Sequence, residues 1–490
     1  MKMNFKNNNK IIFSLCASVS LWLRLGFFLF FCLFILISCA GIKAEKEEAL
    51  YGTLVVYFYS ERGQVDINFT IEGLEIKKKD GGWVKLSEKP INISSADIIN
   101  DQIFLTESNL GEGEYERIMI RISNASIRKE EKYHTLALPQ PNKEIEIKGN
   151  IIGIRSGESR AIFLMWEADK SVSRDYLFSP AITIEPQKIS PKTLLLYIAN
   201  SGSNYVSVVD RFENRVVGVI GVGKNPTGLA LSKEQERLYV LNSRSNSISI
   251  IDTSQDFVRD RIQFASGIEP IEMAMVPYSD RRNHGKLYIT NQGSNDVTVI
   301  DTFMKSQIKN IQVGNTPIGV SANPLRQEVY VANSGSNSIS IIDSTTDTVK
   351  ATVSVDRMPV DVVTVKDSIY VLNSGSDSIT ILDAVTKTIK SRIQGGAGPR
   401  KGIYSEQNNR VYLSNYGSGQ VSFLIPSSAV ITRSIDVGNS PIGLAVDEGR
   451  NRLYIADYNS NRVIVMNSVS EVVEDAITVG NKPYGIVSVK

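Results

Sequence analysis

Few residues in this chain have the types and spacing that chemistry needs. Three cysteines, Cys16, Cys32 and Cys39, crowd the N-terminus and none follows. Beyond residue 39 there is no thiol for a disulfide, a Cys-based metal site or a nucleophile. The two histidines, His134 and His284, lie far apart with no metal-ligand spacing. Asp66, Asp80 and Asp97 lack calcium-loop spacing. Gly395-Gly396-Ala397-Gly398 does not open a helix, so it lacks the geometry that cradles phosphate and reads as a tight turn. No catalytic, metal or cofactor residue is assigned, and the chain is expected not to be an enzyme. What remains is a set of charges, Glu272, Asp361, Arg400 and Lys401, that interrupt an otherwise regular pattern.

That pattern is a repeat. A Tyr is followed three residues later by Asn at Tyr197/Asn200, Tyr239/Asn242, Tyr288/Asn291, Tyr330/Asn333, Tyr370/Asn373 and Tyr412/Asn415, and by Asp at Tyr454/Asp457. The Tyr spacings are 42, 49, 42, 40, 42 and 42. An Asp follows each of the first five Asn by ten residues, and every copy carries a later Pro. The fourth copy reads as four short alternating strands, Ile318–Ala322, Glu328–Ala332, Ser338–Ile342 and Thr348–Val355, separated by turn-formers. Four strands in about 42 residues is the mark of a β-propeller blade. The repeat opens on a second strand, Leu194–Ile198, and ends on a first strand, Pro483–Val489. The last strand is expected to pair into the first blade and close a ring of seven, removing the open edge.

The expected fold is all-β: a seven-bladed propeller over residues 194–490, a linker at 188–193, and before it a small β-sandwich at 51–187. Strand-like runs there are Leu54–Tyr59, Val65–Ile71, Tyr115–Ile122, Glu144–Ile147, Ala161–Trp166 and Ala181–Ile184, with breakers at Asp80–Gly82 and Gly111–Gly113. Tyr330-Val331-Ala332-Asn333, with Ser-Asn-Ser-Ile-Ser-Ile-Ile-Asp behind it, resembles the YVTN-type propeller repeat of bacterial and archaeal surface proteins. The likeness spans all seven units. Gly52–Val55, Gly113–Ile118 and Ser179–Ile182 resemble an uncharacterised domain family of bacterial lipoproteins, which implies no chemistry.

The N-terminus reads as an export signal. Lys2, Lys6, Lys10 and Arg24 precede an apolar run, Leu25–Ile37, of h-region length. Leu36-Ile37-Ser38-Cys39 resembles the bacterial lipobox. That resemblance implies acylation of Cys39, loss of residues 1–38, and a short tether at 39–50. Anchoring by several acyl chains is stable where one is marginal. The expected location is extracytoplasmic, on the cell membrane, or on the outer membrane or cell surface in a diderm host. The whole chain carries a net charge of +2, and without the signal 50 basic residues face 52 acidic ones. Nothing in that balance suggests nucleic acid or an anionic membrane surface, and no nucleic-acid partner is expected.

Residues shared by every blade report the fold, so Asn200, Asn242, Asn291, Asn333, Asn373, Asn415 and Asp457, with the Ser-Gly-Ser-Asn segments that follow them, are expected to hold turns, using the tolerance of Asn for left-handed backbone. A site should lie where blades differ. Two residues after the repeated Pro stand Gly228, Glu272, Gly319, Asp361, Lys401, Gly443 and Gly485. Glu272, Asp361 and Lys401, with Arg400, mark a possible ligand site at the channel mouth. The plainer alternative is a solvated ion pair. The enlarged loop Pro277–Lys286, on the opposite face, is either a specificity loop or a neutral insertion. The function expected from these features is binding or scaffolding of protein or glycan partners in the cell envelope. The alternatives are a lactonase-like hydrolase or redox propeller, and a passive envelope component.

Overall fold

The computed structural model describes residues 51–489 apart from 61–64, 99–100, 139–143, 188–193, 233 and 282. The expected signal, Cys39, and the expected tether and linker lie outside the described residues. No helix among the described residues is long and apolar enough to cross a membrane.

Residues Leu195–Ser488 build four-stranded antiparallel sheets, seven among the described residues. The fourth copy forms Pro317–Asn323, Glu328–Asn333, Ser338–Asp343 and Thr348–Ser354. Its two middle strands are buried almost throughout, while the outermost alternates between exposed and half-buried. This is why the middle strands read as apolar runs and the outer one as alternation. The first sheet takes three strands from Leu195–Gly221 and its fourth from Pro483–Ser488, with Leu196 opposite Ser488 and Tyr197 opposite Val487. The innermost strands touch one another in cyclic order, the last lying against both Pro441–Asp447 and Pro226–Leu231.

Each joint between neighbouring sheets is latched by the repeated Tyr or by a substitute. Tyr197 Oη donates to Asp256 Oδ1 of the next sheet at 2.7 Å, and Tyr239 Oη to the Asn283 carbonyl at 2.9 Å. Tyr288, Tyr370 and Tyr412 reach Asp347, Pro426 O and Ser468 O in the same way. Tyr330 turns instead to Glu328 of its own sheet, and Lys387 of the next sheet completes the joint by binding Glu328 at 2.6 Å. At the closing joint arginines take over. Arg211 Nη1 lies 2.7 Å from Asp447 Oδ2 as an ion pair rather than an aligned hydrogen bond, and its Nη2 donates to the Val489 carbonyl at 2.5 Å.

The repeated Asn residues do not take left-handed backbone. They end the second strand in extended conformation, as at Asn333 with φ −95°. The left-handed residues fall four positions later, at Asn204, Asn246, Asn295, Asn337, Asp377, Gly419 and Asn461. Asn200 through Asn415, fully buried, each donate Nδ2 to the Ser or Thr seven residues on, as in Asn333 to Ser340 Oγ at 2.9 Å. A glycine packs against most of them; a Cβ on Gly314 would lie 2.7 Å from Asn333. Burial against a glycine, with an internal partner, is therefore the role of the motif. The repeated Asp residues do hold turns: Asp343 Oδ1 accepts from the Thr345 backbone N–H at 2.8 Å, and Asn467 does the same for Val469 and Ser470.

Residues 51–186 form two sheets. Strands Tyr51–Ser60, Gln102–Gly111, Ser159–Glu167 and Ala181–Pro186 make one, and Asp66–Lys78 and Gly113–Lys129 centre the other. Leu54, Val56 and Phe58 of the first share a core with Phe69, Ile120 and Trp166. The opposite face of the first sheet, Val55, Tyr57 and Phe163, shares a second core with Leu196, Val216 and Val219 of the propeller's first sheet and Tyr454 and Val463 of its last. The two parts of the chain are therefore packed together, not merely joined. Gln102 pairs both its amide atoms with the backbone of Val216, at 3.1 and 3.2 Å, and Gln187 Oε1 accepts from Ala161 N and Val219 N. These side chains cap an outer strand edge that would otherwise stay open.

The enlarged loop is not free. Its Asn283 donates to Glu236 at 2.8 Å, and His284 Nε2 lies 2.9 Å from Arg237 Nη1, so it clasps the preceding sheet.

Candidate functional site

The innermost strands run so close together at one end that three of them admit no side chain there. A Cβ on Gly319 would lie 2.4 Å from the Val360 carbonyl oxygen, one on Gly443 2.1 Å from that of Tyr484, and one on Gly485 2.2 Å from that of Thr227. Glycine is required by the approach of neighbouring backbone. Three strands hold charged side chains at the same position, and these converge. Lys401 Nζ lies 3.2 Å from Asp361 Oδ1 and 3.5 Å from Glu272 Oε1, so carboxylates from two other sheets meet one ammonium. Asp361 Oδ2 also accepts the Gly402 backbone N–H at 2.9 Å. Side-chain exposure is 3 % for Asp361, 14 % for Glu272 and 29 % for Lys401. This is a largely desolvated cluster, unlike a solvated surface pair.

Arg400 joins through a residue not singled out from sequence. Its Nη2 donates to Tyr484 Oη at 2.8 Å, and its guanidinium stands 6.0 Å from that ring. Tyr484 is buried and lies edge-on to Tyr458. The signal for it was present one column over. Immediately after the repeated Pro the chain reads Thr227, Ile271, Ile318, Val360, Arg400, Ile442 and Tyr484, where Arg400 and Tyr484 stand out among mostly aliphatic residues.

The electrostatics follow from burial. Desolvation raises the Glu272 carboxyl above its ordinary range, opposed by Lys401. Burial works to lower the Lys401 ammonium, but Asp361 and Glu272 outweigh it and hold the group protonated. Burial also raises the Tyr484 hydroxyl, so it stays a neutral donor. The cluster as a whole has two acids and two bases.

Of the other candidates, His134 lies on an exposed strand and His284 in the clasping loop. Among the described residues no group of three His, Cys, Asp or Glu is placed to hold a metal ion. A separate groove of 720 Å³ runs between residues 151–162 and the outer strands of the first two propeller sheets.

The NHL repeat family matches residues 439–466. No curated protein matches the chain in sequence. Solved structures resemble it in fold. A functionally unknown protein from Desulfotomaculum acetoxidans DSM 771 has a TM-score of 0.52 at 12% identity, over 60% of this chain and 98% of its own. Proteins from Bacteroides fragilis NCTC 9343 and Bacteroides uniformis ATCC 8492 are each described as a "putative 6-phosphogluconolactonase". Their TM-scores are both 0.51, at 12% and 14% identity, over 62% and 60% of this chain and 99% of each of theirs.

The expectation that the chain is not an enzyme is corrected by these findings. Propellers described as enzymes share this fold. That expectation rested on the scarcity of residues with the types and spacing that chemistry needs, whereas the fold gathers Glu272, Asp361, Arg400 and Lys401 from separate repeats. Sheet topology, repeat family and fold relatives agree: the chain is a β-propeller repeat protein.

Proposed function

We propose that this chain is a lipid-anchored, extracytoplasmic propeller of seven blades, carrying a β-sandwich on its rim, that binds a glycan at the mouth of its central channel. The observation behind this reading is the convergence of Glu272, Asp361, Arg400, Lys401 and Tyr484 from four sheets. A partly open cluster of donors and acceptors suits hydroxyl-rich ligands better than the apolar contacts of a flat protein interface. Anchoring through Cys39 would hold that mouth near the envelope polysaccharides. The alternative partner is a protein.

The test uses the full chain expressed in cells and then extracted in detergent. Labelled palmitate should enter the wild type and not Cys39→Ser. Immobilised envelope polysaccharide should retain the wild type. The neutralised variant Glu272→Gln/Asp361→Asn/Lys401→Met should bind at least tenfold more weakly. Equal retention of that variant, or capture of only a protein by cross-linking, overturns the glycan reading. Release of reducing ends during the same incubation reports turnover directly.

A further inference from the structure

The groups in the cluster are unequally satisfied, and the unspent ones define a ligand. Both Asp361 oxygens are occupied, one by Lys401 and one by the Gly402 N–H. Among the described residues the Glu272 carboxylate meets only Lys401, at 3.5 Å through one oxygen. Arg400, among the described residues, meets Tyr484 Oη and no carboxylate within ion-pair distance. A guanidinium has five N–H donors in a planar fork, so most of this fork is free. The Tyr484 hydroxyl accepts from Arg400 and keeps its own proton to donate.

We infer that Arg400 and Tyr484 form a carboxylate clamp beside a hydroxyl acceptor, Glu272, and that the site takes a uronic acid unit. This rests on the glycan reading above and narrows it. A planar fork matches a carboxylate in bidentate fashion, and the adjacent phenol adds a third donor. The Glu272 side must receive a donor that is not charged, because Lys401 already stands there and repels a second cation. That argues against an amino acid, whose ammonium would have to sit beside Lys401. A sugar hydroxyl meets the requirement. A phosphate dianion is disfavoured by Glu272 and Asp361, which lie in the same cluster.

The experiment titrates methyl glucuronide, methyl glucoside and methyl sulfate into the detergent-solubilised full chain, followed by calorimetry. The uronide should bind at least tenfold more tightly than the glucoside. Arg400→Gln and Arg400→Lys should both abolish that preference, since lysine keeps the charge but not the fork. Glu272→Gln should weaken uronide and glucoside alike. Equal affinity for the two sugars overturns the carboxylate clamp while leaving glycan binding intact. Methyl sulfate binding as well as the uronide makes the site a general anion site and overturns the sugar-acid assignment. Binding of neither sugar overturns the glycan reading itself. If the Arg400 variants fail to fold, the wild-type ranking of the three ligands decides alone.

Discussion

Deleting Pro483–Lys490 should leave a chain that does not reach the native state, and Arg211→Met should leave a folded chain weakened by about 3–5 kcal/mol. The deleted strand is the fourth of the first sheet and the only one donated from the far end of the chain. Its Tyr484, Ile486 and Val489 are buried, and each such side chain is worth ~1.5–3 kcal/mol. Without it the first sheet keeps three strands and presents a new open edge, and the innermost strands on either side lose their shared neighbour. Arg211 acts at the same joint. It pairs with Asp447, bonds the Val489 carbonyl, and its own carbonyl accepts from Arg450 and Arg452. The Arg211 and Asp447 side chains are 4 % and 10 % exposed, so removing one partner strands the other in a poor solvent. Asp447→Leu added to Arg211→Met should recover much of the loss. Guanidinium unfolding with near-ultraviolet circular dichroism reads all three. A native-like spectrum from the truncated chain, or no rescue in the double variant, would contradict ring closure by this strand and this pair.

Much of the fold was legible because a repeat states each strand several times over. The fourth copy's strands lie within two residues of their expected ends. Strands of the N-terminal region were harder to read. Gln102–Gly111 was missed because Thr106, Glu107 and Ser108 break its apolar pattern, yet Glu107 accepts from Ser203 of the propeller at 2.7 Å. The packing of the two parts had a signal that went unread. Most outer strands carry charges in mid-strand, such as Phe257–Gln263 with Arg259, Asp260 and Arg261. After its opening Arg215, Arg215–Gly221 is Val-Val-Gly-Val-Ile-Gly because another sheet covers it. Glu272, Asp361 and Lys401 stand out in one column of the repeat. Tyr484 stands out only in the adjacent column, among mostly aliphatic residues. The meeting of Lys401 with a carboxylate three sheets away could not be read from a column, since it depends on how far a lysine reaches across a closed ring.

The cluster's own stability supplies the second large effect. Lys401→Met should cost about 2–3 kcal/mol at neutral pH, below the range for a fully buried pair because Lys401 is 29 % exposed. The variant leaves Asp361 and Glu272 in a desolvated place with no ammonium between them. Burial already raises the Glu272 carboxyl, and Lys401, more than Arg400, opposes that rise. Without Lys401 the folded-state value climbs further above the unfolded one. An acid raised in this way binds its proton more tightly in the folded state, so stability should increase as pH falls through the raised value. The wild type should show a weaker trend in the same window. Adding Glu272→Gln and Asp361→Asn should restore much of the stability and flatten the pH dependence, because the two stranded carboxylates are gone and the one charge left in the cluster, Arg400, bonds Tyr484 rather than either of them. The effects are coupled through one ammonium, so the triple variant should be more stable than Lys401→Met alone, which additive losses would forbid. Thermal melts from pH 4 to 8 separate these cases. A Lys401→Met chain as stable as the wild type at pH 7, with no gain on acidification, would mean that solvent already screens the cluster.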